Sequence, residues 1–170
     1  RVLYEDNHLI VANKLPSEIV QGDKTGDTPL SEIVKAYLKE KYQKPGNVFT
    51  GVIHRIDRPA SGVVVFARTG KALTRMNELV KNRDLKKIYW AIVQNKPEKL
   101  NAELKHYLVR NSKKNKSFAY SKSVTGSKEG VLRYKLIGES DSYYLLEIDL
   151  KTGRHHQIRA QLAAIGNPIK

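Results

Sequence analysis

An α+β fold built on a largely antiparallel, mixed β-sheet with flanking helices is what this chain predicts, and three patterns predict it. Short runs rich in Val, Ile and Tyr are broken by polar turns, as strands are. Two stretches keep helical spacing, Leu30, Ile33, Val34, Tyr37 and Leu38 in one and Leu73, Met76, Leu79 and Val80 in the other. From Leu100 to Leu150 the pattern changes to strand after strand with turns between, in the manner of a meander.

Length and composition set the bounds. A chain of 170 residues, 40% hydrophobic, is long enough for one domain, residues 1–170, with a buried core. No apolar run approaches the roughly 20 residues that span a bilayer, and Glu5, Asp6 and Asn7 interrupt the opening apolar stretch at once, so no secretory signal is read there. The chain starts at Arg1 rather than Met, which suggests a longer natural N-terminus. Zero cysteines exclude disulfides and thiolate metal sites and fit a cytoplasmic protein. Charge is the most informative quantity: 31 Lys+Arg against 17 Asp+Glu leaves +14, with a pI near 9.9. That excess favours a polyanion partner, because neutralising phosphates releases counterions. A membrane surface is not expected as partner, since no strongly amphipathic basic helix with bulky aromatics stands out.

Taken in order, Val2-Leu3-Tyr4 and Leu9-Ile10-Val11-Ala12 form a hairpin around Glu5-Asp6-Asn7-His8. A polar loop from Gln21 to Asp27 precedes a helix in which Thr28 caps and Pro29 takes the first helical position, ending near Lys44-Pro45-Gly46. Thr69 caps a second helix, Lys71 to about Lys81. Lys86 to Val93 is a strand with Ile88, Trp90 and Ile92 on one face and Lys87, Tyr89, Ala91 and Val93 on the other. Alternation alone leaves open which of those faces is core and which meets a cleft. Strands follow over Ala102–Val109, Phe118–Ser123, Gly130–Ile137 and Tyr143–Leu150, with Lys113-Lys114-Asn115-Lys116 as an exposed basic loop. Thr152-Gly153-Arg154 opens a last helix carrying His155, His156, Gln157, Ile158, Arg159, Leu162 and Ile165, closed by Gly166-Asn167-Pro168.

Between the first two helices lies the stretch on which the rest turns. Val52-Ile53 enters, Val63-Val64-Val65-Phe66 leaves, and His54, Arg55, Asp57 and Arg58 sit between them with Pro59 and Gly62 as punctuation. A carboxylate between two arginines on a rigid turn is how a reactive site is built, and it is equally how an ordinary ion-paired turn is built.

Three separated blocks resemble one family. His54-Arg55-Ile56-Asp57, with Ser61-Gly62, resembles the H-R-L-D-x-x-T-S-G block of the RluA-type pseudouridine synthases, Ala60 standing at the usual Thr. Lys87-x-Tyr89-x-Ala91 is similar to the second block of that family. Gly153-Arg154-His155-His156-Gln157-Ile158-Arg159 resembles its G-R-x-H-Q-I-R block, followed by Gly166-Asn167-Pro168-Ile169. The family continues past that point with a G-D segment and further strands, so the resemblance implies a pseudouridine synthase catalytic fold that is incomplete at its C-terminus.

The resemblance also implies a chemistry. A uridine of structured RNA, ribosomal or transfer, is flipped from its stack, its glycosidic bond is broken, and the base is rotated and rejoined through carbon. Asp57 is then the nucleophile, toward base C6 or ribose C1′, and Arg159 pairs with it to keep it ionised. Tyr89 stacks on the target base. Arg55 fills the gap the uridine leaves, a use that suits a planar guanidinium. His54, Arg58, Arg154 and Gln157 are the further RNA-binding candidates, His54 mainly as a hydrogen-bonder and Arg58 as a phosphate contact or turn charge. No cofactor, metal or membrane is implied, and a monomer is expected. Adjacent positions on a helix would point His155 and His156 about 100° apart, a poor arrangement for chelating one ion. Lys113, Lys114, Lys116, Lys122 and Lys128 are either grips on the RNA backbone or simply a solvated face.

Overall fold

The computed structural model describes residues 1–170 as nine strands and three helices. They fall into two units, Arg1–Asn82 and Arg83–Lys170. All strand pairs within both sheets are antiparallel.

The first unit holds β1 (Val2–Glu5), β2 (Leu9–Lys14), α1 (Leu30–Lys41), β3 (Gly51–Val52), β4 (Gly62–Ala67) and α2 (Gly70–Asn82). Its sheet runs in the order β1-β2-β4-β3. Period-two alternation gives the sheet two apolar faces, and each receives a helix. Ile10, Ala12, Val64 and Phe66 pack with Leu30, Val34 and Leu38 of α1. Ala67, Leu9 and Val65 pack with Leu73, Met76 and Val80 of α2, while Leu79 is left exposed. Thr69 caps α2 as expected, its Oγ1 accepting from Ala72 N at 3.2 Å.

The start of α1 differs from expectation. Pro29 occupies the cap position, and no side chain caps the helix. The N–H groups of Leu30 and Ser31 instead donate to the carbonyls of Ile19 and Val20, at 2.8 and 3.1 Å. Orphan donors at a helix start take whatever acceptor is near, and here a distant backbone segment outcompetes Thr28.

The second unit holds β5 (Ile88–Val93), β6 (Asn101–Asn111), β7 (Lys116–Tyr120), β8 (Lys128–Glu139), β9 (Tyr144–Leu150) and α3 (Gln157–Ala164). Sheet order is β5-β9-β8-β6-β7. One face packs under α3: Ala91, Val93, Leu104, Leu132, Tyr134, Leu146 and Ile148 meet Leu162, with Ile158 and Ile165 alongside. Across the other face run ion pairs, Glu103–Arg133 at 2.7 Å and Lys105–Glu129 at 2.8 Å. Such exposed pairs contribute little to stability. They mark the solvent side.

Candidate active site

Asp57 belongs to the first unit, in a connection that β3 and β4 hold at both ends. β3 is only two residues long, and past it the imidazole of His54 takes over from the ladder: its Nε2 accepts from Val65 N of β4 at 3.3 Å. Accepting there leaves Nε2 unprotonated. His54 thereby ties the connection to β4. Ile53 is buried under α2, and Ile56 packs against the α1 core, so the turn is anchored on both sides of the sheet. Ala60 N donates to Asp57 O at 3.0 Å, closing a turn with Arg58 and Pro59 at its centre. Gly62, with φ +139°, supplies the backbone geometry that returns the chain to β4. The Asp57 residue is half-buried and Arg55 is exposed. Arg58 turns outward to Asp27, Nη2 to Oδ2 at 2.6 Å, which favours the turn-charge reading of that residue.

Beneath this turn lies a residue that motif reading passed over. Lys14 ends β2 with 0% exposure. Its Nζ donates to three carbonyls, Leu15 at 2.9 Å, Glu18 at 2.7 Å and Arg58 at 3.0 Å. Burial pushes its pKa down, partly opposed by the attraction of the Glu18 and Asp57 carboxylates. The ammonium thus ties the residue after Asp57 to the end of a core strand and adds positive charge behind the carboxylate. The signal was present in the register. Ile10, Ala12 and Lys14 share one face of β2, and a lysine in an apolar face needs a reason.

The other two blocks lie in the second unit. Tyr89 and Arg159 are both half-buried, and Tyr89 packs on the same sheet face that α3 covers. The two rings of β5 thereby sort themselves: Tyr89 lies against the core and Trp90 stands 70% exposed on the opposite face. Next to the start of β5, a shallow cavity of about 370 Å³ is lined by Arg83, Lys86, Lys87, Arg133 and Lys151 against two carboxylates, a setting that suits phosphate oxygens.

The last helix starts later than its sequence suggests. Residues 152–156 form a turn and α3 begins at Gln157. His156 adopts the left-handed conformation, φ 48° and ψ 33°, which ends any helical path through it. His155 and His156 are therefore off the helix, with rings stacked at 3.8 Å between centroids and 27° between planes. Gln157 explains the late start. Its Oε1 accepts from Arg154 N at 2.9 Å and from Thr152 Oγ1 at 2.8 Å, so a side chain from inside the helix satisfies the turn before it.

That amide is committed inside the protein. Gln157 Nε2 donates to Val131 O at 3.2 Å and to Gln161 Oε1 at 2.9 Å, and Gln161 Nε2 continues to Leu104 O and Gly130 O at 3.1 Å each. Both glutamines are buried. Gln157 was expected to face RNA; its polar atoms instead hold the Arg154 turn and α3 onto the sheet. Arg154 remains exposed, its Nε donating to Glu129 O at 2.9 Å.

Comparison with known proteins follows the same lines. The sequence model of the family described as RNA pseudouridylate synthase matches residues 8–164. The ribosomal large subunit pseudouridine synthase C of Buchnera aphidicola (subsp. Acyrthosiphon pisum) is 34% identical over 172 residues, covering 99% of this chain and 52% of that protein. The ribosomal large subunit pseudouridine synthase D of Xylella fastidiosa is 33% identical over 171 residues, covering 99% and 49%. The chain spans about half the length of the curated relatives it matches. Among solved structures, human RNA pseudouridylate synthase domain containing 4 superposes with a TM-score of 0.83 at 23% identity, over 99% of this chain and 66% of that one, a likeness of fold. Given a family match that runs from residue 8 to residue 164, this chain belongs to the RNA pseudouridylate synthase family, of the RluA type.

Proposed function

We propose that this chain is the catalytic part of an RNA pseudouridine synthase that isomerises specific uridines of structured RNA, without a cofactor and as a cytoplasmic monomer. Ribosomal RNA is the first substrate to test, because relatives such as those of Buchnera and Xylella are named for the large ribosomal subunit; transfer RNA is the second. The observation that carries the reading is that Asp57, Tyr89 and Arg159 all stand at their positions in the three resembling blocks, within the stretch that matches the family. Asp57 acts as the nucleophile, and Arg159 is the cation that the third block supplies to the reaction. Tyr89 provides the surface on which the flipped base stacks, and Arg55 takes the vacated place in the RNA. The reaction conserves atoms: the N1–C1′ bond breaks, a C5–C1′ bond forms, C5 loses a proton and N1 gains one.

The test is conversion. Purified protein is incubated with ribosomal RNA and with transfer RNA lacking the modification, and pseudouridine is mapped by carbodiimide-dependent primer-extension stops. Wild type is expected to modify a small set of positions and Asp57→Ala none, while both bind RNA alike. Wild type that binds both RNAs and converts no uridine in either would overturn the enzyme reading.

A further inference from the structure

The hairpin formed by β6 and β7 carries the lysines that sequence leaves between an RNA grip and a solvated face, and its two faces differ. Leu108 and Ser117 belong to the face that meets α3, with Ser117 Oγ 2.9 Å from His155 Nδ1. The opposite face carries Phe118 and Tyr120, each 43% exposed. Register sets Tyr107 directly across from Tyr120 and Val109 across from Phe118, so these side chains share one surface. Two residues apart on a strand, Phe118 and Tyr120 are separated by roughly 6.8 Å, which suits one base per ring along an extended, unstacked strand.

Charge surrounds the rings. Residues 104–128 contain seven cations, Lys105, Arg110, Lys113, Lys114, Lys116, Lys122 and Lys128, and no Asp or Glu. With Glu103, which β6 also carries, residues 101–128 hold +6 of the chain's net charge of +14. Lys116 shares the face of Phe118, and Lys113 and Lys114 form the hairpin loop. Lysines alone on an edge strand serve to discourage sheet-to-sheet association. Exposed rings work against that purpose, so their combination with lysine points to a ligand with both phosphates and apolar flat faces.

We propose that this outer face is a second RNA contact, in which unpaired bases stack on Phe118 and Tyr120 while Lys113, Lys114 and Lys116 hold the adjoining phosphates. The proposal deepens the isomerase reading, since it names single-stranded segments of the substrate as what the hairpin grips. Duplex RNA offers phosphates but keeps its base faces stacked. The rings therefore discriminate between the two forms, and the lysines do not.

The experiment is fluorescence anisotropy with two labelled probes of equal length, an oligouridine and a blunt RNA duplex. Phe118→Ala/Tyr120→Ala is expected to weaken oligouridine binding by about tenfold or more and to leave duplex binding unchanged. Phe118→Trp/Tyr120→Trp should retain the wild-type affinity, and Lys116→Ala should lower the steepness of the salt dependence by about one on both probes. Far-UV circular dichroism checks that each variant is folded. An oligouridine affinity unchanged in the double alanine variant, or an equal loss on both probes, overturns the proposal. The two readings fail separately: pseudouridine formation by a wild type whose double variant binds oligouridine normally removes this surface and keeps the enzyme. Ring-dependent binding without any pseudouridine does the reverse.

Discussion

Replacing Lys14 by Met would keep the bulk of the side chain and remove three donated hydrogen bonds at once. The carbonyls of Leu15, Glu18 and Arg58 would then lose that partner, at a cost of about 1–3 kcal/mol, since they are only partly buried and Arg58 O still accepts from Ser17 N. Urea titration of Lys14→Met should register that loss. Uridine conversion should also drop by about a hundredfold, because the turn holding Asp57 is no longer tied to β2. Lys14→Arg should not restore either quantity, since a planar fork does not fit around a point that three carbonyls surround. Asp57, Tyr89 and Arg159 stand out in the sequence because blocks of fixed spacing carry them. Lys14 lies beyond the strand expected to end at Ala12, and only the longer β2 brings it into register with Ile10 and Ala12. The role of Gln157 was misread for the opposite reason: its block suggested RNA, and nothing local told that its amide would be consumed by Thr152, Arg154, Val131 and Gln161.

Elements followed their patterns closely where the pattern was periodic, and departed from it at their ends. The strands from β5 to β9 lie where alternation put them, with bounds shifted by a few residues. Alternation could not say which face of β5 was core, because Tyr89 and Trp90 serve either purpose until α3 is placed. Helix starts were the weak point. α1 takes its acceptors from Ile19 and Val20, and α3 waits for the Gln157 side chain, both of them contacts that short-range spacing does not encode. The seam between α3 and the sheet yields a sharp prediction at Gly130 on β8. A Cβ there would sit 2.3 Å from Leu108 Cδ1 and 3.2 Å from Gln157 Cδ. Gly130→Ala should therefore destabilise the protein by about 1–3 kcal/mol, seen as an earlier denaturant midpoint. Shortening the neighbour with Leu108→Ala should recover part of that loss in the double variant, since the two sites share one space.

For the molecule as a whole, fold class and charge were the most legible properties, because both are sums over many residues and tolerate local errors. The division of the strands into a four-stranded and a five-stranded sheet was not legible, since pairing depends on partners far apart in sequence. One consequence concerns how this protein can be watched in solution. Trp90 is the only tryptophan in the chain, and it stands on the open face of β5 rather than in either core. Its indole is already bathed in water in the native state, so the emission maximum should barely move when urea unfolds the protein, even as far-UV circular dichroism passes through a cooperative transition. A tryptophan signal that shifted together with the circular dichroism would contradict that placement. The same blindness to unfolding makes Trp90 a quiet background against which any molecule that settles over β5 would announce itself by a shift to the blue.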